Sequence, residues 1–320
     1  MANNILAIRN DRFGEFLLNI PAFRALKQAN PGSRLTLMVN PYAADLAKHI
    51  EGVDEVVRWE NRKHSFKDVL KLSSELKKKR FDLCVIFNPT KESNIISYLA
   101  GIPLRLGYSR KWGFLLNRRL ADKKALAEKH EVEYNLDLVR LIGADIQDKA
   151  LSLSINDDII INSLKALGLS GNQGLVAIHP WTSDPVKQWQ PEQFRKLAQE
   201  LIADPALKLV VIGGKEEIGR SQALFAGLEN KLIDLTGKTD LLQLAAVLKK
   251  CKLLISGDSG PVHLACCVNT PVLAIFRNDL PGKTAKRWGP WGRNCAVIEK
   301  PGLDNTSVEE VYNKAKEMLK

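Results

Sequence analysis

Short apolar runs alternate along this chain with longer segments in which apolar residues recur at helical spacing. The segment at 65–79, for example, places Phe66, Val69, Leu70 and Leu76 on one helical face. Continuous apolar runs are typical of parallel strands that are covered on both sides. They predict strands at residues 4–8, 35–39, 55–59, 82–87, 175–179, 208–213, 231–235, 252–256 and 271–276. Strands that alternate with helices in this way predict the α/β class.

This alternation breaks around residues 153–174, where a helical segment ends in a stretch rich in glycine, serine and asparagine. A new strand follows directly, which is typical of a domain boundary. The pattern therefore predicts two Rossmann-like domains, at 1–165 and 166–320, that face each other across a cleft. The sequence contains neither an internal repeat nor a low-complexity tract.

The composition is that of a globular protein with anionic partners. The chain has 320 residues, of which 45% are hydrophobic and 26% charged, and its formal net charge is +11 at pH 7. Such a positive charge favours nucleic acid, nucleotide phosphates or an anionic membrane surface as partner. An RNP pattern, a helix-turn-helix and a zinc-finger spacing are all missing from the sequence, which argues against a nucleic-acid-binding protein.

Five cysteines, Cys84, Cys251, Cys266, Cys267 and Cys295, are scattered mostly through apolar runs. They form no CxxC pair and no cluster at metal-ligand spacing, so we expect buried thiols in a reducing compartment and no metal site. No apolar run reaches the roughly 18 residues that a membrane span needs. We expect a cytoplasmic protein that at most lies on a membrane surface.

Candidate chemistry lies in the loops that follow the predicted strands, because open parallel sheets bind ligands beyond the carboxyl ends of their strands. In the first loop, Gly14 permits a tight turn and Glu15 begins a helix. A carboxylate in a first helical turn stays ionised at neutral pH because it faces the positive end of the helix dipole. Glu15 either does only this or serves as a catalytic base.

The loop at 179–194, HPWTSDPVKQWQPEQF, offers two hydroxyls from Thr182 and Ser183 and a cation from Lys187. Hydroxyls and a lysine at a strand end suit a diphosphate, since each phosphate oxygen accepts several hydrogen bonds and the cation offsets the charge. A solvated loop without a ligand would also explain these residue types. The segment does not contain the Walker pattern GxxxxGK[ST].

Two further loops have unusual compositions. In one, two glycines end a strand and Glu216 follows, the order in which an acidic residue binds a ribose, although a simple turn would also fit. In the other, SGDSGPVHLA at 256–265, the amides of Ser259 and Gly260 open a helix and form an anion site. His263 falls in the first turn of that helix, where it either packs in the core or faces the ligand.

The order of four segments makes the chain similar to a known family. These segments are RFGEFLLNIPAFRAL, HPWTS with KQWQPEQF, GGKEE, and LTGKTDLLQLAAVLKKCKLLISGDSGPVHLA. Together they resemble glycosyltransferase family 9, the bacterial heptosyltransferases of lipopolysaccharide core synthesis. The resemblance implies a GT-B fold and inverting, metal-independent transfer of a heptose from ADP-heptose to a lipopolysaccharide core acceptor. It implies no cofactor besides the ADP-sugar, which acts as donor substrate.

The resemblance also assigns roles to individual residues of the C-terminal domain. Lys187 would face the diphosphate and be catalytic, Glu216 would bind the ribose, and the turn at 237–239 would border the adenine. The full set of implied donor-binding residues is Thr182, Ser183, Lys187, Glu216, Gly237, Thr239, Asp258, Ser259, Gly260 and His263.

In the N-terminal domain, the family usually has an aspartate as catalytic base directly after the first glycine, and this chain has Glu15. Glu15 is therefore the implied base, with one additional methylene group. Asp11 is the other carboxylate of the loop, and we expect it to cap the loop or pair with Arg12. A chain without an effective base would be a nucleotide-sugar-binding protein with no transferase activity. Another nucleotide sugar or acceptor is the remaining alternative.

The basic segment IPLRLGYSRKWGFLLNRRLA, at 102–121, contains no acidic residue. Its cations and its apolar residues, Trp112 and Phe114 among them, suit anionic lipid headgroups or phosphorylated core sugars. A basic surface loop over a hydrophobic cluster would look the same. The implied acceptor-binding residues are Arg12, Arg105, Arg110 and Lys111.

Overall fold

The computed structural model describes residues 2–169 and 174–320, which divide into two compact units between Ala150 and Leu151. The sequence placed this division at 165/166. The difference concerns the helix Asp157–Ala166, which packs against the later helix Leu241–Lys250 and so belongs to the second unit. Residues 170–173 of the glycine-containing linker lie outside the described residues.

Within the described residues, the first unit has a six-stranded parallel sheet in the order β3-β2-β1-β4-β5-β6. Its strands are β1 (Asn4–Ile8), β2 (Arg34–Val39), β3 (Glu55–Arg58), β4 (Leu83–Ile86), β5 (Leu104–Tyr108) and β6 (Arg118–Leu120). Its helices are α1 (Phe13–Leu17), α2 (Ile20–Ala29), α3 (Ala44–Ala47), α4 (Phe66–Lys78), α5 (Lys91–Leu99) and α6 (Glu131–Arg140).

The described part of the second unit repeats this architecture, with a six-stranded parallel sheet in the order β12-β11-β10-β7-β8-β9. Its strands are β7 (Gly174–His179), β8 (Leu207–Val211), β9 (Leu232–Asp234), β10 (Cys251–Gly257), β11 (Val272–Arg277) and β12 (Cys295–Lys300). Its helices are α7 (Asp157–Ala166), α8 (Pro191–Leu201), α9 (Ile218–Leu224), α10 (Leu241–Lys250), α11 (Gly260–Cys267), α12 (Ala285–Trp288) and α13 (Val308–Leu319).

Apolar runs form the central strands because both faces of each sheet are covered. Residues 5–8 of β1 and 253–256 of β10 are completely or almost completely buried. Helix starts are fixed locally by capping boxes, in which a side-chain oxygen accepts from the N3 amide and the N3 side chain binds the N-cap amide. Ser65 begins α4 in this way, Thr90 begins α5 and Asp240 begins α10.

Every strand predicted from an apolar run is present, with ends that differ by at most two residues. The sequence missed β5, β6 and β12, because their arginines, lysines and glutamates hide the apolar pattern. Of the four residues predicted to form the buried face of the helix at 65–79, two are buried and two are not. Val69 and Leu76 are buried, whereas Phe66 and Leu70 are 70% and 43% exposed.

Each sheet has a point at which the chain reverses the direction in which strands are added. In the first unit β1 lies between β2 and β4, and in the second unit β7 lies between β8 and β10. Loops from neighbouring strands leave in opposite directions at such a point and open a crevice at the carboxyl edge. The chemistry of each unit is therefore expected beyond β1 and β4, and beyond β7 and β10.

Candidate active site

An ion pair joins the two loops at the switch point of the second unit. Lys187 Nζ, in the loop after β7, lies 2.5 Å from Asp258 Oδ2, in the loop after β10. Lys187 ends a short 3₁₀ helix, Pro185–Lys187, whose start is capped by the Asp184 side chain. Both partners are largely buried. The fold thus holds a cation at the point where a Rossmann-like sheet binds its ligand.

The N-terminus of α11 opens at the same place. Pro261 occupies its first turn, and the first amides of any helix have no carbonyl partner within the helix. The Ser259 hydroxyl is directed away from these amides toward His179 Nδ1, at 3.1 Å, and Ser256 Oγ, at 2.8 Å. His263 lies in the first turn and is 4% exposed. A helix N-terminus beside a lysine is suited to a phosphate group.

His179 and Ser256 complete this arrangement and were missed by the sequence reasoning. They are register partners on β7 and β10, so their side chains come together when the sheet forms. Burial lowers the pKa of His179 to about 4, and the imidazole is therefore neutral at pH 7. Its position as the last residue of an apolar strand, directly before the candidate loop, was the available sequence signal.

A second part of this edge surrounds the end of β8, where Trp181 packs against Gly213. A Cβ at Gly213 would lie 2.8 Å from the indole Nε1, so only glycine permits this approach. The Gly237 amide donates to the Gly213 carbonyl at 2.9 Å. The Arg220 guanidinium lies 4.7 Å from the Trp181 ring centroid. Within the described part of the chain, the buried Trp181 Nε1 has no hydrogen-bond partner.

Trp181 was also missed, because an isolated tryptophan in a loop gives no sequence signal for a ligand. A buried N–H without an acceptor costs about 1–3 kcal/mol, so it stands out in a folded protein. An acceptor on a bound molecule would satisfy it.

The two acidic residues after this glycine turn have different environments. Glu217 Oε2 accepts from the Gly214 amide at 2.6 Å, and burial together with the charge of Glu216 raises the pKa of Glu217. Glu216 is exposed and Thr239 half-exposed. The structure thus brings Glu216 to the same turn as Gly213 and leaves its carboxylate accessible to a ligand.

In the first unit, Asp11 joins the loops after β1 and β4. Its carboxylate accepts from Arg9 Nε at 2.6 Å and from Asn88 Nδ2 at 2.7 Å. The sequence left open whether Asp11 caps the loop or pairs with Arg12, and the structure ties its carboxylate to Arg9 and Asn88. The reason is that Arg9 is buried beside Asp11, whereas the Arg12 side chain is 69% exposed and pairs with Glu15 at 3.0 Å.

Glu15 lies in the first turn of α1, beside this loop. Burial, and then the negative charge of Asp11, raise its pKa, while Arg12 and Arg9 act in the opposite direction. That Glu15 stays ionised at neutral pH remains a prediction, and the direction of its pKa shift is set first by burial. α1 has only five residues, so its dipole is small, and burial has the larger effect.

A buried network of charged side chains contacts the loop that carries Asp11. This network was not predicted from the sequence. Arg9 lies 3.6 Å from Glu131 Oε1, and Lys124 Nζ lies 2.6 Å from the same oxygen. All three side chains are at most a tenth exposed. Since an unpaired buried charge is costly, these residues fix one another and so fix the Arg9 guanidinium against Asp11.

The four predicted acceptor residues are not gathered in one place. Arg110 donates to Asn88 Oδ1 and lies 3.3 Å from Asp122, so it belongs to the Asp11 network. Lys111 is exposed at the following position. Arg105 lies near the amino end of β5, where its guanidinium donates to the carbonyls of Ile102 and Leu115. It is a structural residue of the strand rather than part of the carboxyl edge.

Two doubly wound α/β units, each with charged and polar side chains at its switch point, define a protein with candidate ligand sites at the carboxyl edges of two Rossmann-like sheets. The family model of glycosyltransferase family 9 (heptosyltransferase) matches residues 69–316. This chain belongs to that family and is a glycosyltransferase.

Individual relatives agree with this assignment. A Haemophilus influenzae protein whose name gives only the class, glycosyltransferase, is 30% identical over 298 residues, covering 89% of this chain and 85% of that protein. Lipopolysaccharide heptosyltransferase 2 of Escherichia coli is 23% identical, over 88% and 84% of the two chains. The structure of E. coli ADP-heptose lipopolysaccharide heptosyltransferase II matches with a TM-score of 0.86 at 22% identity, over 99% and 98% of the chains. The fold is thus the GT-B fold that the resemblance implied.

None of the described helices is long and apolar enough to cross a membrane. Among the same residues, no group of three or more histidine, cysteine, aspartate or glutamate side chains is arranged to hold a metal ion.

Proposed function

We propose that this chain is an inverting glycosyltransferase that transfers a heptose from ADP-heptose to a lipopolysaccharide core acceptor. The observation that carries the proposal is the meeting of Lys187, Asp258 and the α11 N-terminus at the switch point of the second unit. The second unit would bind the donor and the first unit the acceptor. ADP-heptose is proposed because a structural relative is named for that donor.

Lys187 is proposed to stabilise the leaving diphosphate. When the bond between the anomeric carbon and the phosphate oxygen breaks, negative charge develops on that oxygen. A lysine already in place and the amides of α11 stabilise this charge without reorganisation. The pairing with Asp258 keeps the ammonium group oriented until a phosphate approaches. No metal is assigned to this step.

Trp181, Glu216 and the turn at Gly237 are proposed to bind the nucleoside. The buried Trp181 Nε1 would donate to a ribose or base acceptor, and the accessible Glu216 carboxylate would accept from the ribose hydroxyls. Ser183, Thr182 and Thr239 are proposed to contribute hydroxyls at the same edge, where Thr182 Oγ1 donates to the Asp184 carbonyl. His263 is 4% exposed and is proposed to support the site from within α11.

Glu15 is proposed as the catalytic base. Inversion requires the acceptor hydroxyl to attack the anomeric carbon from the side opposite the leaving ADP, while its proton passes to a carboxylate. Burial raises the pKa of Glu15, and a raised pKa brings a carboxylate nearer to the operating pH, where general bases are most effective.

Arg12, Arg110 and Lys111 are proposed to bind the anionic acceptor. Next to them, Trp112 and Phe114 are 45% and 69% exposed, with their ring centroids 5.9 Å apart. Exposed aromatic rings beside arginines and lysines suit the interface of an anionic bilayer. This arrangement favours a protein at the cytoplasmic face of the inner membrane.

The membrane proposal is tested by flotation with vesicles in which about one third of the lipid is anionic. The wild-type protein should float with them at low salt, and W112S/F114S should not. I161S, which removes a 59% exposed apolar side chain of the second unit, is the control. Equal flotation of all three proteins would remove the membrane from the proposal and leave the transferase activity untouched.

The donor is tested by thermal shift with ADP, UDP, GDP and their sugar conjugates. At 100 times its dissociation constant, the true ligand stabilises the folded protein by about 2.7 kcal/mol. We expect stabilisation by ADP and ADP-heptose, followed by transfer to a heptose-deficient core acceptor. Stabilisation by UDP or GDP alone would replace the donor. Binding of ADP-heptose without transfer or hydrolysis would indicate a binding protein.

A further inference from the structure

Two of the cysteines meet across the second unit. Cys266, in the last turn of α11, and Cys295, the first residue of β12, have their sulfurs 3.9 Å apart. Gly292 packs against both sulfurs, since a Cβ there would lie 3.0 Å from Cys295 Sγ and 3.3 Å from Cys266 Sγ. No local pattern predicts this contact, because 29 positions separate the two cysteines.

The environments of the two thiols differ. Cys266 is 4% exposed, whereas Cys295 is half-buried, which corrects the expectation that all five thiols are buried. The hydrogen bond from Cys266 lowers the pKa of Cys295. Burial raises the pKa values of Cys84, Cys251 and Cys267. Since the thiolate is the reactive form, Cys295 is the thiol that a reagent from solvent reaches first.

We propose that Cys266 and Cys295 are a reversible dithiol–disulfide pair that, when oxidised, ties α11 to the edge strand β12. The two sulfur atoms of a disulfide lie about 2.05 Å apart. The sulfurs of Cys266 and Cys295, now 3.9 Å apart, must therefore approach by about 1.9 Å. Cys295 begins β12 in register with Val272 at the start of β11, and Cys266 is the last residue but one of the helix that leads into β11. The two elements are thus already fixed at neighbouring positions.

The step needs a small-molecule disulfide as oxidant. The Cys295 thiolate attacks one sulfur of that disulfide, forms a mixed disulfide and releases one thiol. The Cys266 thiol then loses its proton, attacks Cys295 Sγ and releases the second thiol. In balance, two protein thiols become one disulfide while the small disulfide is reduced to two thiols.

The new bond would enclose β11 and the segment 278–294. Lys283 of this segment lies 2.7 Å from Asp184, and Arg277, the last residue of β11, donates to the Val186 carbonyl at 3.0 Å. These contacts brace the loop that presents Lys187. Oxidation would therefore constrain the scaffold of the donor loop, although the chemistry of the pair is independent of the proposed function.

The test is treatment of the reduced, full-length protein with oxidised glutathione, alkylation of the remaining thiols, and non-reducing peptide mapping. After this treatment the wild-type protein should have two fewer alkylatable thiols and carry no glutathione. Peptide mapping should yield a peptide linked through Cys266 and Cys295. Dithiothreitol should restore both thiols. C266S should stop at a glutathione adduct on Cys295, because its second thiol is missing.

C267S is the matched control, since Cys267 is the buried neighbour of Cys266 and has no place in the pair. It should behave as the wild-type protein does. A wild-type protein that keeps glutathione on Cys295, as C266S does, or in which Cys295 stays unmodified, would overturn the proposal. A linked peptide that contains Cys267 in place of Cys266 would overturn it as well.

Discussion

At the scale of single residues, Glu15 combines a cost in stability with a proposed role in catalysis. Its pKa is raised by burial and by Asp11, so its ionised form is less favourable in the folded than in the unfolded chain. The stability that Glu15 contributes is therefore present at pH values below its ordinary pKa and is lost as the pH rises through the raised value. The charge that the chemistry would use weakens the fold at neutral pH.

Glu15→Gln is expected to lower turnover by at least about 10²-fold, since the amide cannot accept the proton. Donor affinity should stay unchanged, and Tm at pH 7 should rise because the buried charge is gone. Steady-state kinetics, donor titration and thermal unfolding measure these three effects. Asp11→Asn is the control and should be milder in turnover. An inactive Asp11→Asn beside an active Glu15→Gln would make Asp11 the base.

Lys187→Gln is expected to lower turnover by roughly 10²–10³, the effect of removing one preorganised donor at a developing charge. The loss should appear in kcat as well as in donor affinity, because the lysine acts on the leaving group. Lys283→Gln is the matched control, since it removes a cation that pairs with Asp184 in the same loop. If both variants lose activity equally, the role of Lys187 is to hold the loop.

At the scale of elements, the turn after β9 depends on one backbone conformation. Gly237 has φ +72°, where residues other than glycine are strained, and a Cβ there would lie 2.6 Å from Ile218 Cδ1 and 3.3 Å from Lys215 Cα. The turn therefore packs directly on the start of α9. Any side chain at this position must displace that helix.

Gly237→Ala should destabilise the fold by about 1–3 kcal/mol more than Gly227→Ala does, as measured by urea unfolding. Gly227 is the matched control, because its φ is +82° and no atom lies within 4 Å of the Cβ position. Adding Ile218→Ala to Gly237→Ala should recover part of the difference. Equal losses at the two glycines would mean that the backbone conformation alone sets the cost.

At the scale of the whole molecule, His179 couples global stability to pH. Burial lowers its pKa to about 4, against an ordinary value of 6.5, so the unfolded chain binds a proton more readily than the folded chain does. Stability must then rise with pH between these two values. The contribution of His179 is fully present above pH 6.5 and falls on acidification toward pH 4.

His179→Gln should remove this dependence, which amounts to about 3 kcal/mol over the interval. Urea unfolding of both proteins at closely spaced pH values between 4 and 7 measures it. The two proteins are compared by the slope of their unfolding free energy against pH. Protonation of carboxylates also lowers stability in acid, but the carboxylates are the same in both proteins, so their effect cancels in the difference between the slopes. Identical slopes would show that His179 does not titrate in the folded state at a lowered pKa.

The sequence by itself determined the α/β class and most of the strands, because apolar runs cannot remain in water and parallel strands bury both faces. It also indicated the loops that carry Lys187, Asp258 and Glu15, since strand ends and glycine turns can be recognised locally. The strands β5, β6 and β12 could not be found in this way. β6 and β12 are edge strands, and Arg105 of β5 is half-buried near the amino end of its strand, so complete burial is not required of these charged residues.

Tertiary structure alone decided which side chains meet. Asn88 meets Asp11 and Lys187 meets Asp258 because β1 and β4, and β7 and β10, are neighbours in a sheet although far apart in sequence. Cys266 meets Cys295 across 29 positions of the chain. Tertiary structure also decided the direction of the Glu15 pKa, which the helix dipole alone would have lowered. Burial depends on every element packed around a residue, and no local pattern contains that information.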